Sequence, residues 1–281
     1  MVLAFILTLL AGLATIVGGF IGIHRKMRQQ HILAIALGFA AGAMLCVSFI
    51  ELIPEALRLL MGANGMATGL MIGGVAFAIG ALFVALIEVF LPCSNSVKAL
   101  NLDTQSCEGY CHGNLRHRRG ATRDGRGTKR RLLRSGMMLA LIMGVHNFPE
   151  GIVTFAGAMH DVSLGLTLAL AIALHNIPEG ISIAAPIYAA TGNKIKALGY
   201  TTLSALAEPL GAVAGYVLLR AVMPEQAIGI IFAAVSGMMI YISFSELVPA
   251  ARSHATHIAQ PILGTTAGTL IMASSLLLLI M

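Results

Sequence analysis

The sequence predicts an all-α polytopic membrane protein, in which residues 1–281 form a single transmembrane domain. Only 11% of its residues are charged, whereas about a quarter are charged in a soluble globular domain. The mean hydropathy is +0.87, and the apolar residues fall into runs of roughly 20 residues, the length of a membrane-spanning helix. These runs lack the alternation of barrel strands, so we expect helices, which satisfy their own backbone hydrogen bonds in lipid.

Eight apolar runs predict eight transmembrane helices. They cover residues 2–23, 32–57, 67–92, 136–159, 163–189, 195–221, 226–250 and 262–281. The first run has no basic flank before it and no small-residue cleavage pattern, so we interpret it as a retained span rather than a signal peptide.

The distribution of positive charge predicts the orientation of these spans. If the N-terminus lies outside, the inner loops hold 16 of the 18 Lys and Arg, and only Arg58 and Arg220 lie outside. Short basic loops stay in the cytoplasm. We therefore expect a multi-pass protein of the cytoplasmic (inner) membrane with both termini outside the cytoplasm. The net charge of +6 is explained without a nucleic-acid partner.

Residues 93–135 are polar and rich in Gly and Arg, which predicts a flexible basic cytoplasmic loop between helices 3 and 4. An alternative is that this loop is a weak metal sensor. Its candidate ligands are Cys107, Cys111, His112 and His117. The Cys-x3-Cys-His spacing lacks the paired motifs of a zinc ribbon. Because the cytosol is reducing, we expect no disulfide.

A repeated motif places polar groups inside two of the spans. Residues 146–151 read HNFPEG and residues 175–180 read HNIPEG, and Glu208 lies in a third span. A carboxylate in the bilayer costs roughly 2.5–3.5 kcal/mol on insertion scales. No Lys or Arg lies at similar depth, so these glutamates are either protonated or visited by a cation.

Helical spacing makes each motif a set of metal ligands. His146 and Glu150 are four residues apart and share a helix face with Asn147, as do the matching residues of the second copy, His175, Asn176 and Glu179. Nitrogen and oxygen donors without sulfur suit Zn2+, Fe2+, Mn2+ or Co2+ rather than Cu(I). The alternative is a packing feature at a proline kink, which two copies on consecutive antiparallel spans disfavour. For Glu208 alone, a protonated glutamate between helices is the alternative.

The glycine and proline of each copy carry further predictions. Pro149 and Pro178 remove a helical N–H, and we expect them to bend their helices. Gly151 and Gly180 leave room for a neighbouring backbone to approach.

A second repeat is inverted across the membrane. SFIELIP at 48–54 lies in a span that runs outward, and SFSELVP at 243–249 lies in one that runs inward. Inverted repeats around a midplane site are typical of alternating-access transporters. We interpret Glu51 and Glu246 as pathway or gate residues at the entrance and exit. The alternative is that both are helix-end glutamates that face water.

These residues resemble the ZIP (ZRT/IRT-like) metal transporters, and within them a bacterial branch. The likeness rests on the paired HNxPEG motifs, the AEPLGA segment and eight spans with a long third loop. The resemblance implies a 3+2+3 inverted-repeat arrangement, with a binuclear centre carried by spans four and five. It also implies uptake of divalent metal into the cytoplasm, zinc first and iron, manganese and cobalt more broadly. The implied ligands are His146, Asn147, Glu150, His175, Asn176, Glu179 and Glu208.

One departure from the family bears on selectivity. Many eukaryotic members carry a His-Glu-x-x-His-type motif in span five, where this chain has Asn176 and Glu179. A less anionic site discriminates less, so we expect broad divalent selectivity.

Other classes of protein fit less well. The sequence has no HExxH motif for a metalloprotease and no GxxxxGK[ST] loop for ATP-driven transport. We expect a transporter that is not an enzyme and has no prosthetic group. A divalent-cation channel that uses the same site without alternating access is the remaining alternative. Small residues allow close helix packing within one chain or between two, which leaves a homodimer open.

Overall fold

The computed structural model describes residues 1–24, 29–90, 125–221 and 225–280, and its regular structure there is entirely helical. In chain order the helices are α1 (Val2–Gly22), α2 (Gln30–Val47), α3 (Ile53–Asn64), α4 (Met66–Phe90), α5 (Gly125–His160), α6 (Val162–Thr191), α7 (Lys194–Ala205), α8 (Ala207–Ala221), α9 (Glu225–Ile242), α10 (Val248–His254) and α11 (Ala259–Ile280). Short π-helical segments, Ser48–Leu52 and Ser243–Leu247, join α2 to α3 and α9 to α10. The all-α prediction is confirmed.

Six helical segments of the described chain are long and apolar enough to cross a membrane. They are α1, α2–α3, α4, residues Leu139–His160 of α5, α6, and the α9–α10 segment from Gln226 to His254. The sixth and eighth predicted spans correspond to α7–α8, which is interrupted at Leu206, and to α11. The protein is therefore a multi-pass membrane protein.

Two helix ends differ from the sequence prediction. Helix α5 begins at Gly125, inside the segment 93–135 that we expected to be a loop. Arg, Lys and Leu are good helix formers, so GTKRRLLR continues the span as a polar helix. The second span runs to Asn64 instead of ending at 57. The rest of the expected loop, with its cysteines and histidines, lies outside the described residues.

Helix packing follows the inverted repeat. Helix α1 lies along α6 and α8 lies along α5, while α2 lies along α11 and α9 lies along α4. Exchanging the first three spans with the last three, and α5 with α6, converts each of these pairs into its counterpart. This is the packing that the 3+2+3 arrangement requires, with α5 and α6 as the central pair.

Glycines set how closely α1 and α8 approach that central pair. A Cβ on Gly180 would collide with the backbone carbonyl of Thr15 in α1, and a Cβ on Gly151 would collide with the carbonyl of Glu208 in α8. Both glycines follow the motif glutamate directly. The predicted close approach is confirmed, and it brings a neighbouring backbone against each copy of the motif.

Candidate metal centre

Helices α5 and α6 place the two HNxPEG copies against each other in the interior. Pro149 and Pro178 lie within continuous helices, and the motif side chains around them are buried. Glu208, in the first turn of α8, adds a third buried carboxylate. Seven side chains predicted from the sequence are at most 3% exposed: His146, Asn147, Glu150, His175, Asn176, Glu179 and Glu208.

One half of the cluster is formed by histidines and carboxylates. The Nε2 atoms of His146 and His175 each lie 3.0 Å from Oε1 of Glu150. The Nε2 atom of His146 lies 3.9 Å from Oε1 of Glu179. One potential metal-ligand atom from each of His146, His175 and Glu179 lies within 4.8 Å of the other two. Two ligands bound to zinc at about 2.0–2.1 Å are at most about 4.2 Å apart, so a small inward movement would enclose one ion.

The other half of the cluster is formed by the two amides and Glu208. Asn176 donates from Nδ2 to the carbonyl of Ala11, at 3.0 Å, and to Oε2 of Glu208, at 2.9 Å. Both partners are acceptors, which fixes the orientation of this amide and leaves Oδ1 as a ligand atom. Asn147 donates from Nδ2 to the carbonyl of Ser204 at 3.3 Å. The two asparagines are therefore oriented in the same way, with their amide oxygens available.

The cluster holds more hydrogen-bond acceptors than hydrogen-bond donors. Within the described part of the chain, six of its buried oxygen atoms have no hydrogen-bond partner: Asn147 Oδ1, Glu150 Oε2, Asn176 Oδ1, Glu179 Oε1, Glu179 Oε2 and Glu208 Oε1. A buried acceptor left unpaired costs about 1–3 kcal/mol, and more when it is charged. A divalent cation would satisfy several of these atoms at once, so the donor set fits a metal ion as cargo.

Glu51 and Glu246 occupy matching positions outside this cluster. Each lies in a π-helical segment, where the N–H of Ile53 or Val248 bonds to the carbonyl of the serine five residues earlier. Glu246 is buried and Glu51 is half-buried. Neither glutamate is at a helix end, because α3 and α10 continue beyond them.

A cavity of about 60 Å3 connects the region of Glu246 with the motif helices. It is lined by Ser182, three residues after Glu179, and by Met143, three residues before His146. His254, at the end of α10, lines it as well. The cavity therefore lies one helical turn from the cluster and follows α10 away from it.

The orientation of the two asparagines could not be predicted from side-chain chemistry. The carbonyls of Ala11 and Ser204 orient the two asparagines, and a backbone carbonyl leaves no mark in a sequence. The π-helical segments do have a signal. Pro54 and Pro249 lack the N–H that an α-helix needs at that position, and a π-turn accommodates the loss.

The fold and the buried nitrogen and oxygen ligand types define a class, a polytopic membrane protein with a buried polar cluster, suited in chemistry to a cation, between inverted repeats. Comparison with known proteins identifies the family. The model of the ZIP zinc transporter family matches residues 1–276, so the chain belongs to that family. Its members are transporters, and this chain is not an enzyme.

Curated relatives match over nearly their full length. The zinc transporter ZupT of Clostridium perfringens is 41% identical over 283 residues, which cover 99% of this chain and 96% of the relative. ZupT of Streptococcus mutans is 42% identical, with 99% and 97% covered. ZupT of Corynebacterium glutamicum is 42% identical, with 100% of both chains covered. The resemblance to a bacterial branch of the family is confirmed.

Proposed function

We propose that this protein carries divalent transition metal ions into the cytoplasm, zinc first and also iron(II), manganese and cobalt. The observation that carries the proposal is the buried cluster on α5, α6 and α8. Six of its oxygen atoms, all of which can bind a metal ion, have no hydrogen-bond partner among the described residues. The matched relatives are named zinc transporters, which supports zinc as the main substrate.

The charge of the cluster supports a cation as its occupant. Ionised Glu150, Glu179 and Glu208 carry three negative charges, and neutral histidines carry none. In the part of the chain that is described, the ion pairs of this cluster involve only His146 and His175. One divalent ion leaves a net charge of −1, which favours a second cation or a proton. This agrees with a binuclear centre, with a histidine–carboxylate half and an amide–Glu208 half.

Alternating access supplies the route to and from the centre. Glu51 stands on the entrance side and Glu246 on the exit side, where the cavity that ends at His254 follows α10. The predicted topology places both termini outside the cytoplasm. In this scheme the inverted packing of the helices allows one half of the protein to move against the other while the metal stays bound.

A divalent-cation channel would use the same ligands without that movement. Six unpaired acceptors favour tight, saturable binding over rapid permeation, and this supports the carrier. A neutral amide at Asn176, where a carboxylate would bind more strongly, supports broad selectivity among divalent metals.

Uptake by proteoliposomes that contain the purified protein tests the proposal. Zinc, iron(II), manganese and copper(I) are compared in the wild-type protein and in Glu150→Gln and Glu179→Gln. We expect saturable zinc uptake, inhibition by iron(II) and manganese but not by copper(I), and loss of uptake in both variants. Uptake that rises linearly with metal concentration would establish the channel instead.

Glu88→Gln is the matched control. Glu88 is also a carboxylate in a membrane-spanning helix, but it accepts hydrogen bonds from Tyr241 at 3.0 Å and Ser245 at 2.8 Å. Glutamine keeps one acceptor oxygen for one of these hydroxyls, and its amide NH2 can donate to the oxygen of the other, so we expect uptake to persist. Zinc uptake that survives Glu150→Gln and Glu179→Gln would mean that the paired motifs are structural.

A further inference from the structure

A polar cluster outside the metal centre joins α3 to the end of α5. Arg58 binds Glu55 with two hydrogen bonds, from Nε to Oε2 at 2.7 Å and from Nη2 to Oε1 at 2.6 Å. The same Nη2 atom lies 3.4 Å from Nε2 of His160, the last residue of α5. Oε1 of Glu55 and Nε2 of His160 are 3.7 Å apart. A carboxylate oxygen and an imidazole nitrogen thus converge on one cationic group.

The chemistry of arginine fixes how His160 faces this group. A guanidinium only donates hydrogen bonds, so the contact with Arg58 requires Nε2 of His160 to present its lone pair. Glu55 likewise presents acceptor oxygens. One imidazole nitrogen and one carboxylate oxygen are ligand types of Zn2+ and related ions. The guanidinium occupies the place where such an ion would bind.

Distances and exposure fit a reversible binding site. Ligands at about 2.0–2.1 Å from zinc can be up to about 4.2 Å apart, so the 3.7 Å separation spans one ion without large movement. The side chains of Glu55 and His160 are 18% and 20% exposed, which leaves room for water as further ligands. The Arg58 side chain is 63% exposed, so water screens its ion pair with Glu55, and a divalent ion brings twice the charge of the guanidinium that it would displace.

The position of the cluster relates it to the entrance. Glu55 follows Glu51 by four residues, one turn or about 6 Å along the helix. By the predicted topology both residues lie towards the outside of the membrane: His160 ends α5, and Glu55 lies in the outer part of the second span, before its end at Asn64. The contact between them links α3, from the first three spans, to α5, from the central pair.

We propose that Glu55 and His160 form an outer binding station for divalent transition metals, and that the Arg58 guanidinium occupies this station when no metal is bound. An arriving metal ion displaces the guanidinium and binds to Glu55 and His160. This releases the contact between α3 and α5 that Arg58 makes. The ion then passes inward towards Glu51. This inference rests on the proposed transport function and adds its first binding step.

Initial rates of zinc uptake by proteoliposomes, measured over a range of zinc concentrations, test the station. His160→Gln should raise KM about tenfold with little change in maximal rate, because a lost metal contact weakens binding by about that factor or more. Arg58→Gln should lower KM, because it removes the competing cation. His257→Gln is the control, since His257 is an exposed histidine beyond the end of α10 that lies outside the proposed station, and the KM of this variant should equal the wild-type value.

Direct zinc binding provides a second readout that does not depend on transport. In Glu150→Gln/Glu179→Gln protein, calorimetry should detect a weaker zinc site that His160→Gln removes, with size-exclusion profiles checking that each variant is folded. An unchanged KM in His160→Gln, or zinc binding in the Glu150→Gln/Glu179→Gln protein that stays the same when His160→Gln is added, would overturn the station. Survival of uptake in Glu150→Gln and Glu179→Gln would instead overturn the central transport site, so the two failures are distinguishable.

Discussion

Replacing Asn176 with aspartate tests the arrangement of the amide half of the centre. The change keeps the shape of the side chain but exchanges its two donor hydrogens for an acceptor oxygen. That oxygen would face Oε2 of Glu208 at about the present 2.9 Å and the carbonyl of Ala11 at about 3.0 Å. Both neighbours are acceptors, so the variant loses two hydrogen bonds and gains a like-charge contact.

The electrostatic cost of this contact is large. Two unit charges 2.9 Å apart repel by roughly 6 kcal/mol at an effective dielectric constant of about 20. Since an entire domain is stable by only about 5–15 kcal/mol, this repulsion would remove a large part of the stability of metal-free Asn176→Asp protein unless a proton or another cation binds there. A zinc ion between the two carboxylates would convert this repulsion into attraction. We therefore expect zinc to stabilise the variant more than it stabilises the wild-type protein.

Thermal unfolding in detergent, followed by the loss of the monodisperse size-exclusion peak, measures this difference. The shift in Tm on adding zinc should be several degrees larger for Asn176→Asp than for the wild-type protein. It should be smaller for Asn176→Ala, which removes both the ligand and its hydrogen bonds. A zinc shift in Asn176→Asp that is equal to the wild-type shift, or below it, would refute the placement of Asn176 and Glu208 around a shared ion.

Three further predictions concern packing, acidity and the third carboxylate. Gly180→Ala should destabilise the protein by about 1–3 kcal/mol because its Cβ meets the Thr15 carbonyl. Gly199→Ala should raise Tm slightly, because a Cβ there has nothing within 4 Å and alanine favours helix. Thermal melts of both variants check this, and equal shifts in Tm would contradict it. Lowering the outside pH from about 7.5 to about 5.5 should reduce zinc uptake about tenfold or more, because protons compete with metal for the imidazole nitrogens of His146 and His175. A pH-independent uptake rate would argue against histidine ligands. Glu208→Gln should raise KM for zinc several-fold yet retain transport, because the variant loses a charge while its side-chain oxygen can still accept a hydrogen bond from Asn176. Complete loss of uptake in a folded variant would contradict this prediction and make the Glu208 charge essential for transport.

The sequence was informative about this protein where hydrophobicity decides the structure. Spans such as α1 and α4 follow from their apolar runs alone, because lipid permits little other than helix. The helical start at Gly125 was missed because a Gly- and Arg-rich segment resembles a loop in composition, although its last turns contain good helix formers.

The candidate metal centre was predictable to the extent that its parts lie one helical turn apart. His146 and Glu150 share a face through local geometry, and their duplication as His175 and Glu179 pointed to a common site. The distance between the copies depends on how α5 and α6 pack, which no local pattern specifies. The backbone carbonyl of Ala11, which orients Asn176, is invisible in a sequence for the same reason.

The cluster of Glu55, Arg58 and His160 could likewise be predicted only in part from the sequence. Glu55 and Arg58 are three residues apart on a helix and could be paired from the sequence. His160 lies 102 positions from Arg58, and as a single histidine at a helix end it carries no signal of its own. Tertiary packing alone brings Glu55 next to it.

X-ray absorption at the zinc K-edge, recorded on the purified zinc-loaded protein, tests the central claim most directly. The account predicts a shell of nitrogen and oxygen ligands at about 2.0–2.1 Å with imidazole scattering beyond it. That scattering should be strongly reduced in His146→Gln/His175→Gln protein. A sulfur shell near 2.3 Å, or imidazole scattering unchanged in the double variant, would place the metal elsewhere and contradict a centre built from the paired HNxPEG motifs.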